Sequence, residues 1–198
     1  MELRIFQFIP RTDVEGPGTR ACVQVQGCPI HCAGCALPQT WPVDDGRLVD
    51  ADCLANQIIS EPSIEGVTFL GGEPFFQAAA LAYIGRRVRE QNLSVVTFTG
   101  YRLEDIKAAS RQDYDELLAV TDLLIDGPFQ RKHVEFSRPW VGSSNQRFHF
   151  LTDRYVHLAD EISPIPNRIE VRIKPDGRIL INGMAATEDM AALIRGIA

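Results

Sequence analysis

No stretch of this sequence approaches the roughly 18 consecutive apolar residues that suggest a membrane-spanning helix. The N-terminus, Met1-Glu2-Leu3-Arg4-Ile5-Phe6, lacks a basic leader followed by an apolar run, so no secretory signal is expected. Nor is there a basic stripe. The 20 Lys and Arg are outnumbered by 26 Asp and Glu, and a net charge of -6 argues against a general nucleic-acid binder. Only four histidines are present. Together with the scattered Asp and Glu they form no triad-like pattern, so no catalytic acid, base or nucleophile is expected beyond a cofactor. Internal repeats, low-complexity runs and linkers are lacking too.

What remains is ordinary in bulk. At 198 residues, 45% hydrophobic and 23% charged, the chain fits one globular domain able to bury a core without disulfides. Five cysteines are odd in number and three are clustered, which points to a reducing cytoplasm with thiols used for metal. Cys22 and Cys53 stand apart and read as structural or incidental thiols.

Along the chain, Leu3 to Ile9 and Cys22 to Gln26 read as strands on either side of a Gly16-Pro17-Gly18 turn. Helical spacing covers Leu48 to Ile59, Phe76 to Glu90, Leu103 to Ala109 and Tyr114 to Val120. Short apolar strands are expected at Gly66 to Leu70, Val95 to Thr99 and Leu123 to Asp126. Buried-looking strands alternating with amphipathic helices predict an α/β fold with a parallel sheet, its ligands gathered at the strands' C-terminal ends. Too few βα units are present for a complete eight-unit barrel. Phe129 to Asn145 is a long connection of the functional-loop kind. Arg168 to Ile173 and Arg178 to Ile181 form a hairpin around Pro175-Asp176-Gly177, and Glu188 to Ile197 reads as a closing helix. The expectation is one domain over 1–198, with a core of about 1–150 and an extension of about 151–198.

The segment Gln26-Gly27-Cys28-Pro29-Ile30-His31-Cys32-Ala33-Gly34-Cys35 carries the most chemistry. Its C-x3-C-x2-C spacing supplies three thiolates from one loop, one ligand short of closing a four-iron cluster or a tetrahedral zinc site. Structural zinc usually takes two separated ligand pairs, and no second C-x2-C or H-x3-H exists here. The spacing favours a cluster and leaves zinc open. An odd ligand set leaves one metal with an open position, which suggests chemistry more than scaffolding. A second feature is Phe69-Leu70-Gly71-Gly72-Glu73-Pro74, which on its own reads as a strand-to-helix turn with Pro74 in the first helical turn.

Together these features resemble the radical S-adenosylmethionine superfamily and, within it, the glycyl-radical-enzyme activases that serve anaerobic ribonucleotide reductase. The resemblance is carried by Glu15-Gly16-Pro17-Gly18-Thr19-Arg20, Gly27 to Trp41, Leu70 to Pro74, Thr99-Gly100-Tyr101, Asp122 to Gly127, and Gly142-Ser143-Ser144-Asn145-Gln146. It covers roughly residues 3 to 150. Leu37, Leu70 and Gln24 depart from the residues common in the family at those positions.

The resemblance implies a partial (β/α)6-type radical-SAM barrel with a C-terminal β-hairpin and helix. It implies a 4Fe-4S cluster on Cys28, Cys32 and Cys35, with S-adenosyl-L-methionine chelating the fourth iron. Gly34 and Ala36 would lie against the adenine, and Gly71, Gly72 and Glu73 would meet the methionine end. Thr99 would line the ribose, and Asp126 would help fix the carboxylate or ribose. Arg20, Asn145 and Gln146 would face the partner or cofactor. The implied reaction is reductive cleavage to a 5′-deoxyadenosyl radical, fed by a flavodoxin- or ferredoxin-like donor. The radical then takes hydrogen from a glycine of an anaerobic ribonucleotide reductase; the alternative substrate is a peptide or small molecule in a biosynthetic pathway. From the ligand assignment, Cys32→Ala is expected to abolish cofactor cleavage, while Cys53→Ala leaves cleavage and iron content intact. Iron lost from the Cys53→Ala protein, measured per chain, would refute the assignment.

Overall fold

The computed structural model describes residues 1–162, 165–173, 175–185, 192–193 and 195–196. The expected helix at 188–197 falls largely outside them. The elements are β1 (Glu2–Thr12), β2 (Arg20–Val25), β3 (Arg47–Asp50), α1 (Ala51–Ser60), β4 (Gly66–Gly71), α2 (Ala78–Glu90) and β5 (Ser94–Phe98). They continue as α3 (Leu103–Ala108), α4 (Gln112–Val120), β6 (Leu123–Asp126), β7 (Arg147–Phe150), β8 (Ile169–Ile173) and β9 (Ile179–Gly183). One sheet runs in the order β3-β1-β2-β4-β5-β6-β7, and β8 pairs with β9 in a separate hairpin.

The centre of the large sheet is parallel: β2 pairs with β4, β4 with β5 and β5 with β6. Antiparallel strands flank this run, β1 beside β2 and β7 beside β6. The parallel strands are the short apolar runs read from the sequence. They are buried on both faces, as βα crossovers require. One face packs Val23, Val67, Phe69, Val95 and Leu124 against the helices through Leu54, Ile58, Leu81, Ile84 and Leu117. The other packs Val96, Leu123 and Ile125 against Trp140, Val141 and Tyr155 of the long segment after β6.

Two local readings change. Leu48 and Val49 are not helical but pair with Arg4 and Leu3 as an edge strand. The helix starts after them because the Asp50 side chain accepts the Cys53 N–H as an N-cap. Strand β7 (Arg-Phe-His-Phe) is not among the strands expected from the sequence, because four alternating residues at a half-exposed edge are too few to stand out at the end of a long loop.

Arg20 opens β2 in register with Gly66 of β4, which is in turn in register with Ser94 of β5. Its guanidinium is fully buried. It donates to Thr68 Oγ1 at 2.7 Å, to the Val67 carbonyl at 3.0 Å, to Ser94 Oγ at 3.2 Å and to Tyr155 OH at 3.3 Å. The Pro17 carbonyl accepts another of its N–H groups. Arg20 therefore ties together the N-terminal ends of three parallel strands, opposite the ends that carry the cysteines. The Glu15-to-Arg20 motif is scaffold and not cofactor surface.

The hairpin β8–β9 docks on the same motif. Glu15 accepts from the Gly183 N–H at 2.8 Å and from Asn182 Nδ2 at 3.2 Å, and Asn182 also donates to Thr12 Oγ1 at 2.9 Å. Replacing Arg20 by Leu would strand several buried acceptors. Loss of a buried, hydrogen-bonded charge site of this kind costs about 3–5 kcal/mol, equivalent to a melting shift on the order of 10 °C for a chain this long. Tyr155→Phe, which deletes one hydroxyl from the network, should cost about 1 kcal/mol. Thermal melts of both variants check the difference; equal, small losses would contradict the anchoring role.

Candidate active site

All the motif loops emerge from the C-terminal ends of the parallel strands. The cysteine loop follows β2, the Gly71-Gly72-Glu73 turn ends β4, Thr99-Gly100 follows β5 and Gly127 follows β6. They enclose a cavity of about 180 Å³ lined by Cys28, Cys32, Cys35, Glu73, Thr99 and Phe129, among others.

The first turn is held tightly to the second. Gly72 N–H donates to Val25 O at 2.8 Å, and Glu73 N–H to Gly27 O at 2.9 Å. A Cβ on Gly72 would come within 2.4 Å of the Gly27 carbonyl, and one on Gly71, at φ +108, within 2.7 Å of Val25 N. Both glycines are needed for this close approach. From the other side, Gly27 N–H donates to Thr40 O at 2.8 Å and Cys28 N–H to Trp41 O at 3.1 Å. His31, at φ +51, stacks on the Trp41 ring at 4.6 Å. It braces the loop as a side chain packed on an aromatic face.

All three thiols line the cavity. Burial pushes the Cys28 thiol up, opposed by the backbone N–H groups of His31 and Ile30; burial likewise raises Cys32, opposed by the Phe129 N–H. The Leu37 N–H donates to Cys35 Sγ at 3.4 Å. These amides would favour thiolates once a metal binds. Among the described residues, no three His, Cys, Asp or Glu side chains are arranged to hold one metal ion. A single zinc gathers its ligands at about 2.3 Å, whereas an iron–sulfur cluster offers each thiolate a separate iron. The donor set thus fits a cluster better than one ion.

Across the cavity lies Glu73, 1% exposed. Its carboxylate accepts from Phe75 N–H at 2.9 Å, Thr99 Oγ1 at 2.8 Å and Gly100 N–H at 2.9 Å. Burial pushes its pKa up to about 7 despite those three bonds. No cation pairs with it among the described residues. A buried carboxyl with hydrogen bonds but no counter-ion either keeps a proton or is completed by an incoming donor.

Cys28, Cys32, Cys35, Gly71, Gly72, Glu73 and Thr99 are thus brought around one cavity, with Gln146. Thr99 spends its hydroxyl on Glu73. Gly34, Ala36, Asp126 and Asn145 do not line that cavity. Gly34 and Ala36 are exposed. Asp126, the last residue of β6, turns toward α3 and β7. It accepts from Leu103 N–H at 2.7 Å and from Arg147 at 2.6 and 3.0 Å, with His149 Nε2 at 3.0 Å. Burial alone would raise its pKa, but these partners hold it below the usual carboxylate range. Asn145 donates to the Pro128 carbonyl at 2.8 Å. Asp126 and Asn145 brace the loop behind the cavity. Ile30, Trp41, Phe98 and Phe129 also line it and went unremarked; the strand-end positions of Phe98 and Phe129 were the available signal.

Residues 14–149 match the family model described as a 4Fe-4S single cluster domain. The "Anaerobic ribonucleoside-triphosphate reductase-activating protein" of Escherichia coli (strain K12) is 31% identical, over 73% of this chain and 97% of its own. Its namesakes in Haemophilus influenzae and Enterobacteria phage T4 are also 31% identical, each over 74% of this chain and over 97% and 94% of theirs. Among solved structures, QueE from Escherichia coli matches at a TM-score of 0.41 and 18% identity, over 50% of this chain and 53% of that one.

Glu15 and Glu73 are both pushed up to about 7 by burial, from an ordinary value of 4.5. Each raised carboxyl holds its proton in the folded state where the unfolded chain has lost it. The stability it contributes is complete below the unfolded value and is lost as pH rises through about 7. The cofactor-free protein should therefore show a lower urea midpoint at about pH 8 than at about pH 5.5. Glu15→Gln should flatten that dependence by about half; an unchanged slope would mean the carboxyl is already ionised at neutral pH.

Proposed function

The chain belongs to the family of anaerobic ribonucleoside-triphosphate reductase-activating proteins, and from that premise we propose that it makes a glycyl radical on a partner reductase. It is an enzyme of the radical S-adenosylmethionine, glycyl-radical-activating type, and its cofactors are a 4Fe-4S cluster and S-adenosyl-L-methionine. In this reading Cys28, Cys32 and Cys35 each hold one iron and leave the fourth for the amino and carboxylate groups of S-adenosylmethionine. When bound, the cluster would supply the electron for reductive cleavage of S-adenosylmethionine, the chemistry that would remove hydrogen from the substrate glycine.

The rest is the work of the chain's own residues. Glu73 accepts an N–H of the methionine amino group, and Thr99 and Gly100 hold that carboxylate in place. Gly71 and Gly72 bring its turn against the cysteine loop. Gly34 and Ala36 present backbone toward the adenine. Asp126 and Asn145 act by positioning the loop after β6. Phe98, Phe129 and Trp41 restrict water. The same reading takes residues 1–198 as one radical-SAM domain in a reducing cytoplasm. Its four parallel strands form the core of a partial (β/α)6-type barrel. The electron comes from a flavodoxin- or ferredoxin-like protein.

The observation that carries this reading is Glu73: a buried carboxylate with no counter-ion among the described residues, lining one cavity with three thiols. The test is anaerobic reconstitution, then incubation with reductant, S-adenosylmethionine and the same organism's anaerobic ribonucleotide reductase. Broad absorption near ~400 nm from the loaded protein and a glycyl radical in electron paramagnetic resonance are expected. Release of 5′-deoxyadenosine without that radical would leave a peptide or small-molecule substrate instead. Colourless protein holding stoichiometric zinc would end both readings.

A further inference from the structure

We propose a second small-molecule site at the opposite end of the sheet, for a phosphate monoester carrying sugar hydroxyls and a flat ring, of the nucleoside monophosphate class. The site is a cavity of about 440 Å³, within the roughly 300–1,000 Å³ usual for small-molecule sites. Of its lining residues, Gly16 and Gly18 precede β2 and Glu65 immediately precedes β4. It therefore lies at the N-terminal ends of the parallel strands. It shares no lining residue with the cysteine cavity, and the inference stands apart from the radical chemistry proposed above.

Charge selects one end of the ligand. Arg154, Arg168 and His157 line the cavity, against a single carboxylate, Glu65, among the described residues there. Arg154 donates from one nitrogen to Asn92, 3.0 Å from its carbonyl, and Arg168 donates to the Asp13 carbonyl at 3.3 Å. Neither guanidinium pairs with a carboxylate among the described residues. Each carries five N–H donors in a fork that matches phosphate oxygens, and most of these are unspent. The carboxylate selects the other end. Glu65 Oε1 accepts from Tyr155 OH, and Oε2 lies where any side chain on Gly18 would overlap it. A bare anion gains nothing from this acceptor, whereas sugar hydroxyls donate to it. Trp140, Leu158 and Ile165 add an apolar wall for a ring. Trp140 holds φ +63, an outlying conformation for so bulky a residue. Its N–H donates to Asn167 Oδ1 at 3.1 Å, and Asn167 donates in turn to the Phe136 and Arg138 carbonyls at 2.7 and 2.8 Å. Strain held by such a clamp concentrates at ligand-binding positions, and Trp140 takes no part in the cysteine cavity.

The test titrates the anaerobically reconstituted full chain with uridine 5′-monophosphate by calorimetry. One site is expected, undiminished by excess S-adenosylmethionine, with inorganic phosphate and uridine each bound at least about tenfold more weakly. Arg154→Gln/Arg168→Gln should weaken binding of the nucleotide at least about tenfold. Leu158→Trp, which fills the cavity and removes no charge, should weaken it as much. Arg11→Gln/Arg86→Gln, on β1 and α2, should bind as the wild type does. Thermal melts without ligand show which variants are folded. No heat of binding at millimolar nucleotide would overturn the proposal. So would displacement by S-adenosylmethionine, which would place the nucleotide in the cysteine cavity. Equal affinity for inorganic phosphate would overturn it as well, leaving a plain anion site, and so would wild-type affinity in either the double variant or Leu158→Trp. A chain that takes up no iron ends the radical reading and still tests this one, since the nucleotide needs none of the three clustered cysteines.

Discussion

Three parallel strands share one buried guanidinium, and the rest of the molecule depends on that shared anchor. Arg20 fixes the starts of β2, β4 and β5 relative to one another. The far ends are then joined by contacts of their own, Gly72 to Val25 and Glu73 to Thr99. A charge buried with only neutral oxygens for partners is costly unless each N–H is used, and here the fork is well occupied. The Gly16-Pro17-Gly18 turn serves the same end, since its Pro17 carbonyl is one of the acceptors. Tyr155 ties the segment after β7 into the network. The fold spends its most specific polar cluster at the end away from the chemistry, which leaves the chemical end free to be built from loops.

At that chemical end the organising element is a negative charge. Glu73 gathers donors from its own turn and from the loop after β5, joining two loops through one carboxylate. Two glycines press the same turn against the root of the cysteine loop. The result is asymmetric, with thiols on one side and a carboxylate on the other, each incomplete until something is placed between them. In the reading proposed above, the amino end of S-adenosylmethionine would fill the space between them.

How much of this the sequence disclosed follows from distance along the chain. The cysteines and the Gly-Gly-Glu turn are local clusters, each just after an apolar strand, and needed no tertiary knowledge to be noticed. The parallel core was legible for the same reason, because Val67–Phe69 and Leu123–Ile125 are too short and too apolar to be anything but buried strands. Arg20 was not legible, since its partners Thr68, Ser94 and Tyr155 lie 48, 74 and 135 residues away. Asp126 was placed correctly at a strand end but not in its surroundings. Its partners Arg147 and His149 stand on β7, a strand whose alternation runs for only four residues. Leu48 and Val49 show the opposite failure: helix-compatible spacing ran on into residues that an Asp50 cap excludes from the helix.

The wall between the thiols and solvent is thin. Ala33 and Gly34 are exposed, and at φ +84 a larger side chain in place of Gly34 would be strained. Exposed backbone beside the thiols gives dioxygen a short approach. A metal centre held in this loop would corrode in air within the folded protein. Confinement to anoxic surroundings would thus be a consequence of its architecture as well as of the reaction it serves.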